Sequence, residues 1–242
     1  GSVLPPGVYP VTYSAFSCRG VRSDCSFNIT VPSGEPQLIC PEDVVIPNDV
    51  DQCSAVVMGL TPRGGLGCAT VLNYQITFPV SSGLPPVGTS TDYNSNTLGT
   101  INDVSGRTFP VGTSQVTYIL KVDLNGDGDA DDQSETQSCT FSVTVLDVQR
   151  PHAVCIDREI KLDQTGNATI YAEDQGGGSI FMDGGSTDNC DADPLIEIQK
   201  PGQPYSASQS YNCVDVGDNL LNLRIFDDAG NYSTCIARIK VI

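Results

Sequence analysis

The stretch Phe109-Pro-Val-Gly112-Thr-Ser-Gln-Val116-Thr-Tyr118, followed by Cys139-Thr-Phe-Ser-Val-Thr-Val145, decides the reading of this chain because it is written three times. The first copy is Leu4-Pro-Pro-Gly7-Val-Tyr-Pro-Val11-Thr-Tyr13 with Cys25-Ser-Phe-Asn-Ile-Thr-Val31. The third is Asp215-Val-Gly217-Asp-Asn-Leu-Leu221-Asn-Leu223 with Cys235-Ile-Ala-Arg-Ile-Lys-Val241. Gly7, Gly112 and Gly217 are evenly spaced, 105 residues apart. Each copy runs glycine, alternating strand, loop, cysteine, alternating strand. A repeat of this length is domain-sized, so the chain is an array of similar modules. Arrays suit a scaffold or stalk better than a single catalytic centre.

Val, Ile, Thr and Tyr recur in short alternating runs between Gly, Pro, Asn and Asp clusters across all 242 residues, which predicts an all-β sandwich architecture. There is no Trp and only seven Phe, so each core is thin and filled by aliphatic residues and Tyr. Ten cysteines stand beside two Met and one His, with no CxxC pair. That pattern favours disulfides over zinc and an oxidising, extracellular or cell-surface location. No apolar run is long enough to span a bilayer. The opening Gly1-Ser2 reads as a remnant of cloning, and the chain as a piece of a longer secreted polypeptide. A net charge of −17 argues against nucleic acid, whose phosphates demand Lys and Arg. It favours calcium, solubility or repulsion between neighbouring filaments.

Residues 1–32 hold only the last two strands of a module, near Val8–Phe16 and Cys25–Val31, with Val11, Tyr13, Phe27, Ile29 and Val31 on the face expected to be buried. A lone hairpin is marginal in water, so it should lean on something. Residues 33–147 form a complete module. Its strands are expected near Leu38–Ile46, Ser54–Leu60, Val71–Phe78, Gln115–Val122 and Cys139–Val145. A Ser/Gly/Asn/Thr-rich insertion at 79–107 reads as an exposed binding loop or an ornament. Residues 148–242 form a second complete module, with strands near Glu159–Leu162, Ala168–Glu173, Leu195–Gln199 and Asn219–Phe226. Proline in the joins 32–36 and 148–151 stiffens them and favours an extended rod.

The phrases Phe109-Pro-Val-Gly112…Cys139-Thr-Phe-Ser-Val-Thr-Val145 and Ile39-Cys40-Pro41…Gln52-Cys53-Ser-Ala-Val-Val57 resemble the hyalin repeat (HYR) module. Ala153-Val-Cys155, Gly166-Asn-Ala-Thr-Ile170, Gly185-Ser-Thr-Asp-Asn-Cys190 and Asp228-Ala-Gly-Asn231 are similar to a variant abundant in giant surface proteins of Bacteroidota, gliding-motility adhesins among them. The resemblance covers the chain apart from 79–107 and 123–136. It implies tandem immunoglobulin-like sandwiches, no enzymatic activity, and a structural or adhesive role. Partners would be neighbouring modules, other copies of the chain in a filament, or a surface or glycan target. The rival reading is a carbohydrate-binding accessory region of a secreted polysaccharide-degrading enzyme, which exposed aromatics on one face would support.

The acidic loop Asp123-Leu-Asn125-Gly-Asp127-Gly128-Asp129-Ala-Asp131-Asp132 matches the first half of an EF-hand calcium loop. Asp123, Asn125 and Asp127 would supply side chains, Asp129 a carbonyl and Asp131 a side chain or water. Ser134 stands where a bidentate Glu is usual, so Asp132 or Glu135 must complete the shell. The plain alternative is a solvated acidic hairpin loop. A second cluster, Asp183, Asp188, Asn189, Asp191 and Asp193 around Cys190, reads as Asx-turns more than as a cage. Asp227-Asp228-Ala-Gly230-Asn231 reads as a tight turn with Gly230 at positive φ.

In an immunoglobulin-like sandwich the first strand runs parallel to the last, so their starts lie together. Cys40–Cys139 and Cys155–Cys235 are expected to pair on that ground, each closing a loop worth about 4 kcal/mol in the chain-entropy model. Cys190–Cys213, flanking Pro201-Gly202, reads as a cross-hairpin bridge. Cys53–Cys68 and Cys18–Cys25 remain, with free or metal-bound thiols as the alternative. His152 is the only histidine and sits in a linker, so a catalytic triad has little to work with.

Overall fold

Alternation in the sequence becomes burial by turns in the repeat strands of the second and third copies. The computed structural model describes residues 4, 7–31, 37–64, 70–88, 101–123 and 135–242. Its strands are β1 (Gly7–Phe16), β2 (Arg22–Val31), β3 (Val44–Pro47), β4 (Ser54–Val57), β5 (Thr70–Thr77), β6 (Val87–Gly88), β7 (Arg107–Pro110) and β8 (Gly112–Val122). They continue with β9 (Thr136–Leu146), β10 (Arg158–Ile160), β11 (Asn167–Tyr171), β12 (Leu195–Gln199), β13 (Ser208–Asn212), β14 (Gly217–Phe226) and β15 (Tyr232–Val241). Among the described residues there is no α-helix, and the protein is all-β with immunoglobulin-like sandwiches. Two compact units emerge: residues up to Val44 with Val56–Thr144, and Val45–Ala55 with Val145–Ile242.

In the second unit a four-stranded sheet, β10-β15-β14-β12, is accompanied by the pair β11-β13. In β14, Leu221, Leu223 and Ile225 point inward while Leu220 and the residues between turn out or lie part-buried. They meet Ile239 and Val241 of β15, Ile196 and Ile198 of β12, and Ile170 and Tyr211 of the β11-β13 pair in one core. β10 lies parallel to β15, with Arg158 opposite Ile239 and Ile160 opposite Val241. The expected first-to-last pairing is therefore present. Gly230 has φ +89°, and the turn closes through Gly230 N–H to Asp227 O at 3.1 Å.

In the first unit the sheet order is β3-β9-β8-β5-β6, with β4-β7 as a second pair. Val116, Tyr118 and Leu120 of β8 are fully buried beside Phe141 and Val143 of β9 and Phe109 of β7. Tyr118 carries a polar tip into this core and satisfies it twice: its hydroxyl donates to Leu60 O at 2.8 Å and accepts from Val104 N–H at 3.0 Å. Burial pushes its phenol up to about 12, so it stays a neutral donor and acceptor. β5 is buried on both faces over Thr70–Tyr74. The reason lies in the insertion, whose far end folds over it: Asn102 N–H donates to Leu72 O at 3.0 Å and Asn102 Nδ2 to Asn73 Oδ1 at 3.0 Å. Its near end adds β6 to the sheet, with Ile76 opposite Val87. Both ends of 79–107 are thus structural, and residues 89–100 lie outside the described ones.

The hairpin β1-β2 corrects an expectation. Its register sets Tyr9 opposite Ile29, Val11 opposite Phe27 and Tyr13 opposite Cys25, so the apolar residues do share one face. That face is left largely open: Val11 and Val31 are part-buried, but Tyr13 is 67% and Phe27 46% exposed, and Ile29 is exposed as well. Two strands make a single layer, and no other described strand joins them. The rings of Tyr13 and Phe27 stack on each other instead, 6.0 Å between centroids. Several strands exceed or escape the sequence reading. β13 and β7 were not expected, because Ser208–Asn212 and Arg107–Pro110 are too polar or too short to show a clear period.

Gly112 and Gly217 open equivalent strands with φ of +105° and +115°, which L side chains rarely adopt. At Gly112 a Cβ would also fall 2.9 Å from Pro79 side-chain carbons, whereas at Gly217 it meets nothing within 4 Å. Gly217→Ala should therefore cost about 1–2 kcal/mol from backbone strain alone. Gly112→Ala should cost about 3 kcal/mol, since the clash adds to the strain. Urea melts of the two variants check the order; equal losses would remove the clash from the account.

Candidate functional site

Three places could carry function: the disulfide-locked strand starts, the acidic β8–β9 connection and a polar knot around Cys190. At the first, Cys40 is bonded to Cys139 and Cys155 to Cys235, with Cα–Cα distances of 5.7 and 5.9 Å. A carboxylate sits beside each bond. Asp43 Oδ1 accepts from Ser142 N–H at 2.7 Å, and Asp157 Oδ1 accepts from Arg238 N–H at 2.7 Å. In both units a short acid follows the first cysteine and caps the backbone three residues past the second. Asp43 is held below its usual carboxylate range by these hydrogen bonds to Ser142. An open groove of about 530 Å³ runs beside Cys40, lined by Ile39, Pro41, Asp43, Thr61 and Arg63 among others. It holds neither a histidine nor a free thiol.

The acidic connection joins neighbouring strands. The hydroxyl pairs Thr113–Thr144 (3.0 Å) and Thr117–Thr140 (2.9 Å) show β8 and β9 running antiparallel. Asp123 therefore follows the end of one strand and Glu135 precedes the start of its neighbour. Glu135 is buried. Asn125, Asp127, Asp129, Asp131 and Asp132 lie outside the described residues.

The polar knot lies within the second unit. Asp188 Oδ2 accepts from the N–H groups of Cys190 (2.7 Å) and Asp191 (2.9 Å), and Asp191 Oδ1 from Asp193 N–H (2.9 Å). Asp183 accepts from Gly185 and Ser186 in the same manner. These are the Asx-turns expected for this cluster. What the sequence did not disclose is that Val45–Ala55 enters the same knot. Asn48, a buried residue, donates through Nδ2 to Gln52 O (2.9 Å) and to Asp147 Oδ1 (3.2 Å), and accepts from Val148 N–H (3.2 Å). Asp147, Asp188 and Cys190 each offer a ligand atom within 4.8 Å of the others. The only available signal was Asn48 itself, a polar residue just after an apolar run.

The remaining cysteines depart from expectation. Cys190 does not pair with Cys213. β12 bonds to β14, and β13 to β11; the segments flanking Pro201-Gly202 meet only at the Ile198–Ser206 bridge and then part to different sheets, so no continuous hairpin ladder sets Cys190 against Cys213. Cys213 is an exposed thiol against Gly166 O at 3.8 Å. Cys18 and Cys25 are also exposed thiols, because the register puts Tyr13, not Cys18, opposite Cys25. Cys68 lies outside the described residues, and Cys53 is a thiol. His152 is exposed and its backbone is bridged to Thr187 by hydrogen bonds of 2.7 and 3.1 Å.

No family model matches the chain. It is 28% identical over 215 residues to hyalin of Strongylocentrotus purpuratus, covering 88% of this chain and 15% of hyalin. Similar solved structures include the N-terminal four Ig domains of Dscam1 isoform 1.9, at 10% identity and a TM-score of 0.39, over 93% of this chain and 52% of that one. The titin I-band fragment I67-I69 aligns at 10% identity and a TM-score of 0.39, over 97% of this chain and 75% of that one. Mouse cadherin-23 EC22-24 aligns at 14% identity and a TM-score of 0.31, over 97% and 74%. The fold assignment rests on the strands themselves. With the similarity to hyalin, they support an immunoglobulin-like domain of hyalin-repeat type. Among the described residues no helix is long and apolar enough to cross a membrane.

Proposed function

We propose that this chain is a structural and adhesive segment of a secreted, multi-modular cell-surface protein or filament, stabilised by disulfides and by calcium. The observation that carries this reading is the lock between first and last strands. β10 lies parallel to β15, so tension along the chain loads their ladder bonds in shear, all together. The disulfides then shunt the load, because the loops they close, with sequence separations of 80 from Cys155 to Cys235 and 99 from Cys40 to Cys139, cannot lengthen while the bonds hold. Such a segment keeps its length under pull. The resemblance of the third module to surface proteins of Bacteroidota is in keeping with a gliding-adhesin type of parent. The open apolar face of β1-β2 is where a neighbouring module or another copy of the chain would pack, by sheet-on-sheet contact or by an added strand.

The carbohydrate-binding alternative needs aromatic faces open to a sugar ring. In the second unit the Arg224 guanidinium already covers Tyr205 (4.0 Å) and Phe226 (4.3 Å), although Tyr13 and Phe27 of the hairpin stay exposed. The mechanical reading is preferred on that account.

Three outcomes are expected. Stretched singly without reductant, the chain should release neither hidden length; with reductant it should release steps of about 280 and 350 Å, at ~3.5 Å per residue. Long steps before reduction would end the reading. Calcium should raise the melting temperature, chelator should reverse this, and Asp127→Asn should weaken the titrated affinity. An unchanged melt with no titratable ion would remove calcium. Deleting residues 1–32 should abolish any self-assembly seen by mass in solution, and assemblies that persist would clear the hairpin of that role.

A further inference from the structure

Two thiols that the sequence assigns to different modules meet inside the second unit. Cys53 ends the turn after β3, and Cys190 sits in the Asx-turn of Asp188. Their flanks are tied directly. Asn189 Nδ2 donates to Gln52 O at 3.2 Å across 137 residues of chain, and to Cys190 Sγ at 3.2 Å. Asn48 Nδ2 reaches both Gln52 O (2.9 Å) and Cys190 Sγ (3.8 Å). Asp51 N–H bonds Gln149 Oε1 at 3.1 Å, which fixes the same turn from its other side. Two side-chain amides thus bracket the sulfurs, and the Cys53 side chain is within hydrogen-bonding reach of Cys190. Both residues are part-buried.

We propose that Cys53 and Cys190 form a further disulfide, which fastens the Val45–Ala55 turn to the Asp188–Asp193 turn. The chain already carries Cys40–Cys139 and Cys155–Cys235, so its environment is one in which such bonds persist. The reaction is thiol–disulfide exchange with a small-molecule or protein disulfide as oxidant. One cysteine thiolate attacks the oxidant's S–S bond and expels a thiolate. The second cysteine attacks the mixed disulfide and expels the other. Two protons leave the cysteines, two thiols of the spent oxidant gain them, and two electrons pass to the oxidant. Once made, the bond resists reversal at the Cys53 sulfur. Burial foremost, with Cys53 and the Asp147 carboxylate nearby, raises the Cys190 thiol, so it is a poor leaving group.

The test uses the whole chain, incubated with oxidised glutathione, alkylated without reduction, digested and mapped by mass spectrometry. A cross-linked peptide joining Cys53 to Cys190, about 2 Da lighter than its two thiol halves and lost on reduction, is the expected result. Cys53→Ser should make Cys190 alkylatable while leaving the two bonds at the strand starts intact. A Cys53–Cys68 or Cys190–Cys213 peptide would overturn the proposal, as would alkylation of both sulfurs after oxidation. Zinc retained one-to-one by the purified chain, with both sulfurs alkylatable only after chelation, would overturn it too.

Discussion

In the second unit β10 lies parallel to β15, and Cys155–Cys235 ties the chain where the first strand begins; Cys40–Cys139 does the same for the first unit. The rest of each sandwich depends on this closure. Two strands far apart in sequence must find each other, and the loop-closure entropy opposing this is large. A covalent bond removes that entropy from the unfolded chain. Asp43 and Asp157 then take up backbone N–H groups of the last strand beyond the bond, so the join is satisfied as well as fixed.

This closure explains how so thin a core suffices. There is no Trp in the chain, and the fully buried side chains are mainly Leu, Ile and Val, with Tyr118, Tyr211 and Phe109 the largest. Tyr118 fills the centre of its unit because both sides of its hydroxyl are used, by Leu60 and Val104. A phenol in that position gives aromatic bulk without leaving a polar atom unpaired. The segment that supplies Val104 is the tail of the long insertion, so part of what looks like ornament completes the core. The acids serve as turn makers at Asp183, Asp188 and Asp191, where each carboxylate replaces a missing backbone acceptor.

The mechanical role proposed above rests on the same closure. A sandwich whose ends are joined by a covalent bond transmits tension without unfolding, and repetition of the module extends the property along a chain. Hyalin, to which 88% of this chain is similar at 28% identity, is far longer than the segment matched. The hairpin β1-β2 is the exception that shows the rule. It has the alternation of the other copies but only one layer, and its apolar face stays open to water.

The sequence by itself determined what is local or periodic. Alternation gave the strands and their inward faces, as at Leu221, Leu223 and Ile225. Repetition of Gly7, Gly112 and Gly217 gave the modules, and the turn chemistry of Asp227–Asn231 put Gly230 at positive φ. Sequence position matched Cys40 with Cys139 and Cys155 with Cys235, because those cysteines stand at equivalent points of the repeat. Tertiary structure decided what depends on which sheet a strand joins. Cys190 and Cys213 flank a turn symmetrically, yet β12 and β13 part to different sheets, and symmetry along the chain then says nothing about distance. The meeting of Cys53 with Cys190 was likewise hidden, since the two lie 137 residues apart and come together only when the turn after β3 folds against the Asx-turn at Asp188. Pairing within a strand's own neighbourhood is written in its period; pairing across layers is settled by how the layers close.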